Sequence, residues 1–272
     1  MDSTSAPASQ PADPVHAWQR RVVLDDSVAP AHDGQSLAEV LGIIPTSQPG
    51  ADQFCLRVDG QGWALWPPAE GVWGRLPLRI DFVHDARFRS PLTLKEPLAR
   101  AAGIKAGHRP PVIDLTAGLG RDAWALASMG CPVQAFERHP LIHHLLADAL
   151  ARARAHPATA AVAARIDLRL GTAHQWSQGS GLSDLDTVWL FDPMFPPRQK
   201  SAEVKKDMRI FAALVGADDD ASAVFSWART QQGARWLVKR PHHSTHWPAH
   251  CPDFTIESAR LRFDVFLPLT GR

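Results

Sequence analysis

The spacing of apolar positions changes near residue 110. From there on, short apolar runs alternate with stretches in which apolar residues recur every three or four positions. PVIDL (111–115), CPVQAFE (131–137), IDLRLG (166–171), TVWLFD (187–192) and ARWLVKR (234–240) read as buried strands. RDAWALASMG (121–130) reads as a helix closed by Gly130, and LIHHLLADALARA (141–153) carries apolar pairs at 141/142, 145/146 and 149/150. Further helices are expected at about 201–215 and 218–231. Strands alternating with helices predict a mostly parallel, doubly wound α/β sheet. The end breaks the alternation: FTIESARLRFDVFL (254–267) holds two strand-like runs with no helix between them, which predicts a terminal antiparallel hairpin.

Before residue 110 the runs are shorter and Gly, Pro and Trp are frequent. FCLRV, DGQG and WALWP predict a β-hairpin with a Gly-rich turn, and LRIDF (78–82) is a candidate further strand. The expected organisation is a polar leader (1–19), a small β-containing domain (20–90), and a ligand-binding domain (91–272) entered through a helical segment near 93–103. A seven-stranded sheet with an antiparallel ending resembles the class I methyltransferase fold, a Rossmann-like α/β architecture.

The first strand of that sheet runs into D-L-T-A-G-L-G. Gly118 and Gly120 let the backbone approach a ligand, and the helix that follows offers unpaired N–H groups. Asp114 ends the first strand. Glu137 ends the second, 19 residues after Gly118, where an acid can accept both hydroxyls of a ribose. Arg121 and Asp122 open the helix, within reach of a ligand's carboxylate and amino group. Gly118-x-Gly120-x-x-Ala123 also satisfies the dinucleotide fingerprint, so the glycines leave S-adenosylmethionine and NAD both open.

The fourth strand ends in DPMFP (192–196), a carboxylate and an aromatic ring fixed by two prolines. An exocyclic amine on a nucleobase is a poor nucleophile, and acceptors that grip its N–H bonds let the nitrogen pyramidalise. Asp192 and the carbonyl of Pro193 are two such acceptors, and Phe195 offers a face for the base to stack on. An ionised Asp only accepts hydrogen bonds, which suits the adjacent N1–H and N2 donors of guanine better than the mixed edge of adenine. These three residues are the candidate catalytic set.

DLTAGLGRDAWALASMGC, FERHP, LFDPMFPPRQKSAEVKKDMRIFAALVG and LVKRP together resemble the RsmJ family, from about residue 78 to 267. That resemblance implies an S-adenosylmethionine-dependent enzyme methylating a guanine N2 of 16S ribosomal RNA in the small subunit or 30S particle. It implies cofactor contacts at Arg121, Asp122, Glu137, Arg138, the pair Thr172 and Ala173, and Asp192. The rival readings are an NAD-dependent oxidoreductase and a non-catalytic RNA-binding ribosome assembly factor.

Charge refines the RNA reading. The net charge is only +1, so RNA must be met by local patches. Eight Arg/Lys between 75 and 109 face Asp81, Asp85 and Glu96. RQKSAEVKKDMR (198–209) holds Arg198, Lys200, Lys205, Lys206 and Arg209 against Glu203 and Asp207. These five, with Lys239 and Arg240 at the end of the fifth strand, are expected on RNA phosphates. His242, His243, His246, His250 and Cys251 form a His-rich loop, read as a cover of the substrate pocket with no metal, since Trp247-Pro248 interrupts it. Three distant cysteines exclude a disulfide framework and fit a reducing cytoplasm. No membrane span is expected, the partner is expected to be small-subunit ribosomal RNA or the 30S particle, and the protein is expected to act as a monomer.

Overall fold

A computed structural model describes residues 14–26, 31–90, 92–177, 183–194, 206–242, 244, 251–259 and 261–268. In chain order the elements are a 3-10 helix (Pro14–Arg20), β1 (Val22–Asp25), α1 (Ala31–Leu41), β2 (Ile44–Thr46), β3 (Phe54–Asp59) and β4 (Gly62–Trp66). Then come α2 (Ala86–Arg89), α3 (Pro97–Ala101), β5 (Val112–Asp114), α4 (Arg121–Ser128), β6 (Val133–Glu137), α5 (Pro140–Ala155) and α6 (Ala160–Ala163). The chain continues through β7 (Ile166–Leu170), α7 (Ala173–Trp176), β8 (Val188–Phe191), α8 (Lys206–Val215), α9 (Ala221–Ala228), β9 (Arg235–Pro241), β10 (Phe254–Glu257) and β11 (Leu261–Phe266). They form two compact units, Met1–Leu78 with Lys205–Val215, and Arg79–Val204 with Gly216–Arg272.

The first unit is a four-stranded sheet in the order β2-β1-β3-β4. The expected hairpin is β3 with β4, antiparallel, and Asp59 turns it by accepting the Gln61 N–H at 2.8 Å. Phe54 and Leu56 are fully buried. LRIDF does not make a strand: Leu78 forms one bridge to Leu65 and the pairing ends there. Helix α8 belongs to this unit, with Ile210, Phe211 and Leu214 buried and Arg21 donating to the Ala213 carbonyl at 3.0 Å. The sequence had assigned that helix to the large sheet.

The division falls at residue 78, not 90, and a stack of rings explains it. Phe82 lies flat on Trp124 of α4, with centroids 4.2 Å apart and planes 6° off parallel, and Phe88 meets Phe82 edge-on at 4.8 Å. Arg152 of α5 ties the same segment down by donating to the Ile80 carbonyl at 2.6 Å.

The second unit carries the seven-stranded sheet, β10-β11-β9-β8-β5-β6-β7. Strands β5 to β9 are parallel and β11 runs antiparallel to β9, the terminal hairpin that the sequence predicts. One face buries Ile113, Phe136, Trp189, Phe191, Trp236, Val238 and Phe266 against Ala221, Phe225 and Ala228 of α9. The indole N–H groups are satisfied there: Trp189 donates to Gln232 and Trp236 to Ala228. Strand β5 sits between β6 and β8, so the strand order reverses at its carboxyl end. A crevice opens at such a switch point.

Strand periodicity corrects one expectation. Trp236 and Val238 of β9 face the α9 core, and Arg240, two residues on, points the same way. Arg240 is 2% exposed and lies 3.1 Å from Asp264, which is 0% exposed. Its cross-strand partner Arg262 takes the other Asp264 oxygen at 2.8 Å. Arg240 therefore has no surface to offer an RNA phosphate. Removing Asp264 would leave two buried guanidiniums facing each other. Asp264→Ala is expected to lower the unfolding free energy by about 3–5 kcal/mol in urea titration. A loss below about 1 kcal/mol would show that the two arginines find other partners.

Candidate functional site

The site is built from strand tips. After Asp114 the chain turns through Gly118 (φ 53°) and Gly120 (φ 72°), conformations that favour glycine, and enters α4. A Cβ on Gly120 would sit 2.6 Å from a Leu146 methyl and 3.0 Å from the Phe82 ring, so the turn packs against its own core. The Gly118 N–H donates to Glu137 Oε2 at 2.8 Å and the His139 N–H to Oε1 at 2.7 Å. Glu137 is thus fixed at the end of β6, 5% exposed. A carboxylate has about four lone-pair sites, so roughly two remain for a ligand. Burial pushes its carboxyl up to about 7, against the pull of the two N–H groups.

Asp114 is 2% exposed and accepts the Thr116 N–H at 3.0 Å. Burial raises it to about 8, with the Thr116 N–H pulling it back and Asp122 and Asp192 pushing further. Thr116 Oγ1 in turn accepts the Asp192 N–H at 2.8 Å. One hydroxyl therefore joins the tip of β5 to the residue that follows β8.

Lys239 corrects a second expectation. Its ammonium is 2.6 Å from Asp122 Oδ2 and 2.8 Å from Asp192 Oδ2, and its side chain is 17% exposed. It faces two carboxylates of the site where an RNA phosphate was expected. Burial pushes its pKa down, but Asp122 and Asp192 more than reverse that, and the net shift is upward. For Asp192, burial raises the carboxyl and Lys239 opposes the rise.

Arg138, expected to face a cofactor, has its guanidinium engaged elsewhere. One nitrogen donates to both Asp220 oxygens at 2.9 Å and another pairs with Asp218. Asp218 Oδ2 accepts the Met194 N–H at 2.6 Å. The sequence reading missed Asp218, because GADDD (216–220) looks like an ordinary acidic turn. Thr172 caps α7 in a reciprocal capping box with Gln175, so its hydroxyl oxygen already accepts an N–H. Ala173 is packed in the core. Arg121 is half-buried in the first turn of α4, and Pro193 is buried.

Phe195, Arg198, Lys200 and Lys205 lie outside the described residues, as do His243, His246 and His250. Lys206 starts α8 and Arg209 is exposed on it, in the first unit. In chemical terms the edge offers a buried carboxylate behind a glycine turn, suited to a vicinal diol. A second, cation-held carboxylate sits at the next strand but one, suited to N–H donors.

Comparison with known proteins points the same way. Residues 51–268 match the family described as "Putative SAM-dependent methyltransferase". The protein of Aeromonas hydrophila named "Ribosomal RNA small subunit methyltransferase J" is 46% identical over 251 residues, 91% of this chain and 97% of that one. Its namesake in Nitrosococcus oceani is 40% identical over 248 residues, 89% of this chain and 96% of the other. A solved SAM-dependent methyltransferase from Neisseria gonorrhoeae is 31% identical and superposes with a TM-score of 0.68, covering 92% of this chain and 97% of that one.

The charge arrangement makes a direct prediction. Lys239→Met removes the cation that favours the ionised form of Asp192, so the Asp192 carboxyl should titrate at higher pH than in the wild type. Carbon-detected NMR titration reads this shift. An unchanged midpoint would mean that Lys239 does not set the charge state of Asp192.

Proposed function

The chain belongs to the SAM-dependent methyltransferase family, and we propose that it methylates N2 of a guanosine in 16S ribosomal RNA of the small subunit. The observation that carries the guanine reading is Asp192. Its N–H is held by Thr116, its Oδ2 is held by Lys239, and a rigid Pro193 follows.

S-adenosylmethionine supplies the methyl group, as a sulfonium. The residues fit it: the glycine turn leads into the N-terminus of α4, and Glu137 keeps acceptor capacity for two ribose hydroxyls. Asp122 and Arg121, at the start of α4, are suited to the amino and carboxylate groups of its methionine part. Asp122 would then share its charge between the ligand and Lys239. The dinucleotide reading of the same turn gives way to the family.

Asp192, kept ionised by Lys239, accepts from the N1–H and N2–H edge of guanine. The Pro193 carbonyl accepts the second N2–H, so the nitrogen lone pair turns out of the ring plane. As N2 gained the methyl carbon, with the carbon–sulfur bond breaking and its electron pair staying on sulfur, N2 would lose a proton, and Asp192 Oδ1 would be the atom that takes it. The carboxyl of Asp192 is raised by burial, which suits it to that task. Phe195 stacks the base, and Arg198, Lys200, Lys205, Lys206 and Arg209 hold phosphates. The protein acts as a monomer in the cytoplasm. Free, buried Cys55 and Cys131 are consistent with a reducing compartment, and among the described residues no helix is long and apolar enough to cross a membrane.

The test is methyl transfer from labelled cofactor to small-subunit particles, followed by nucleoside analysis. N2-methylguanosine is the expected product. Asp192→Asn turns one acceptor into a donor facing guanine's own donors, and the rate should fall roughly 10²–10⁴-fold. Another methylated nucleoside would overturn the guanine N2 reading, and no methylation at all would favour a non-catalytic assembly factor. An Asp192→Asn enzyme of full activity would show that Asp192 only ends the strand.

A further inference from the structure

The turn after β8 has few ways to fix its direction. Pro193 has no N–H, so the peptide groups on either side must be held by other atoms. The Asp192 N–H goes to Thr116 and the Met194 N–H goes to Asp218 Oδ2 at 2.6 Å. The second contact orients more than Met194. The Pro193 carbonyl and the Met194 N–H belong to one peptide group, which is trans. In a planar trans peptide the C=O and N–H point in opposite directions. Fastening the N–H to Asp218 therefore aims the Pro193 carbonyl away from Asp218.

Asp218 is itself fixed. Its own N–H donates to the Met194 carbonyl at 3.2 Å, closing a reciprocal pair across the turn. Its second oxygen pairs with Arg138, which also grips Asp220. The Asp218 side chain is 12% exposed, so water competes little for it. Arg138 follows Glu137 directly, so the chain from the end of β6 to the turn after β8 is Glu137, Arg138, Asp218, Met194.

We propose that Asp218 is a positioning residue for methyl transfer: it directs the Pro193 carbonyl toward the acceptor amine, and Arg138 holds it in place. This rests on the reading that the Pro193 carbonyl accepts from the amine. Asp218 touches neither base nor cofactor in this account. Its effect belongs in turnover with bound substrates, not in cofactor affinity.

The experiment compares Asp218→Ala and Asp218→Asn with wild type, on small-subunit particles at saturating cofactor, with S-adenosylhomocysteine binding measured by calorimetry. Asp218→Ala frees the Met194 N–H, and kcat should fall on the order of 10²-fold, the usual scale for a misplaced reacting group. Cofactor affinity should stay within about two-fold of wild type, far below the tenfold that one strong contact is worth. Asp218→Asn keeps an oxygen for Met194 and should recover most of kcat. Wild-type kcat in Asp218→Ala, no recovery in Asp218→Asn, or a loss confined to cofactor affinity would each overturn the proposal. If Asp218→Ala does not fold, Arg138→Met is the substitute, since it releases Asp218 and spares the Met194 contact. A smaller fall in kcat is expected there, and an unchanged kcat overturns the proposal. Failure of the wild type to make N2-methylguanosine would instead count against the function on which the proposal rests.

Discussion

The ammonium of Lys239 lies 2.6 Å from Asp122 and 2.8 Å from Asp192, and the arrangement of the sheet edge depends on that contact. Burial raises the Asp114 and Asp192 carboxyls, and the nearby Asp122 adds to the rise of both. Unaided, carboxylates gathered this closely at a sheet edge would take up protons or spread apart. A single cation from β9 lets the tip of β8 and the start of α4 keep their charges side by side. The remaining acids are held in other ways. Backbone N–H groups hold Glu137, and Arg138 holds Asp218.

That division gives each acid a separate task. Glu137 is buried and bound by backbone, so its position does not depend on any side-chain cation. Asp192 is more open, with 38% of its side chain exposed, and Lys239 opposes the rise that burial gives its carboxyl. Under the proposed assignment, Lys239 touches the acceptor side of the site through Asp192 and the cofactor's amino group through Asp122, whereas Glu137 is held without it.

Much of the fold was legible because its signals are local. The alternation of strand and helix, the Gly-rich turn, the terminal hairpin and the carboxylates at strand ends all lie within short windows of sequence, and the structure has each of them. What escaped was set by contacts between distant residues. The unit boundary moved to 78 because Phe82 stacks on Trp124, 42 residues away in the chain. Helix α8 is amphipathic, and a pattern of apolar residues does not say which sheet will cover it. Lys239 and Arg240 look alike in sequence, yet strand periodicity turns one to a pair of carboxylates at the sheet edge and the other into the core. Asp218 had no motif to mark it, since its importance comes from Met194 and Arg138.

The most direct measurement of the central claim is a crystal structure with S-adenosylhomocysteine bound. Both ribose hydroxyls should lie within hydrogen-bond distance of the Glu137 carboxylate, roughly 2.5–3.0 Å between oxygens. Asp192, still paired with Lys239, should stand beside the sulfur with an oxygen free for the acceptor base. A ribose bound away from Glu137, or an adenine ring lying over Asp192, would contradict the account.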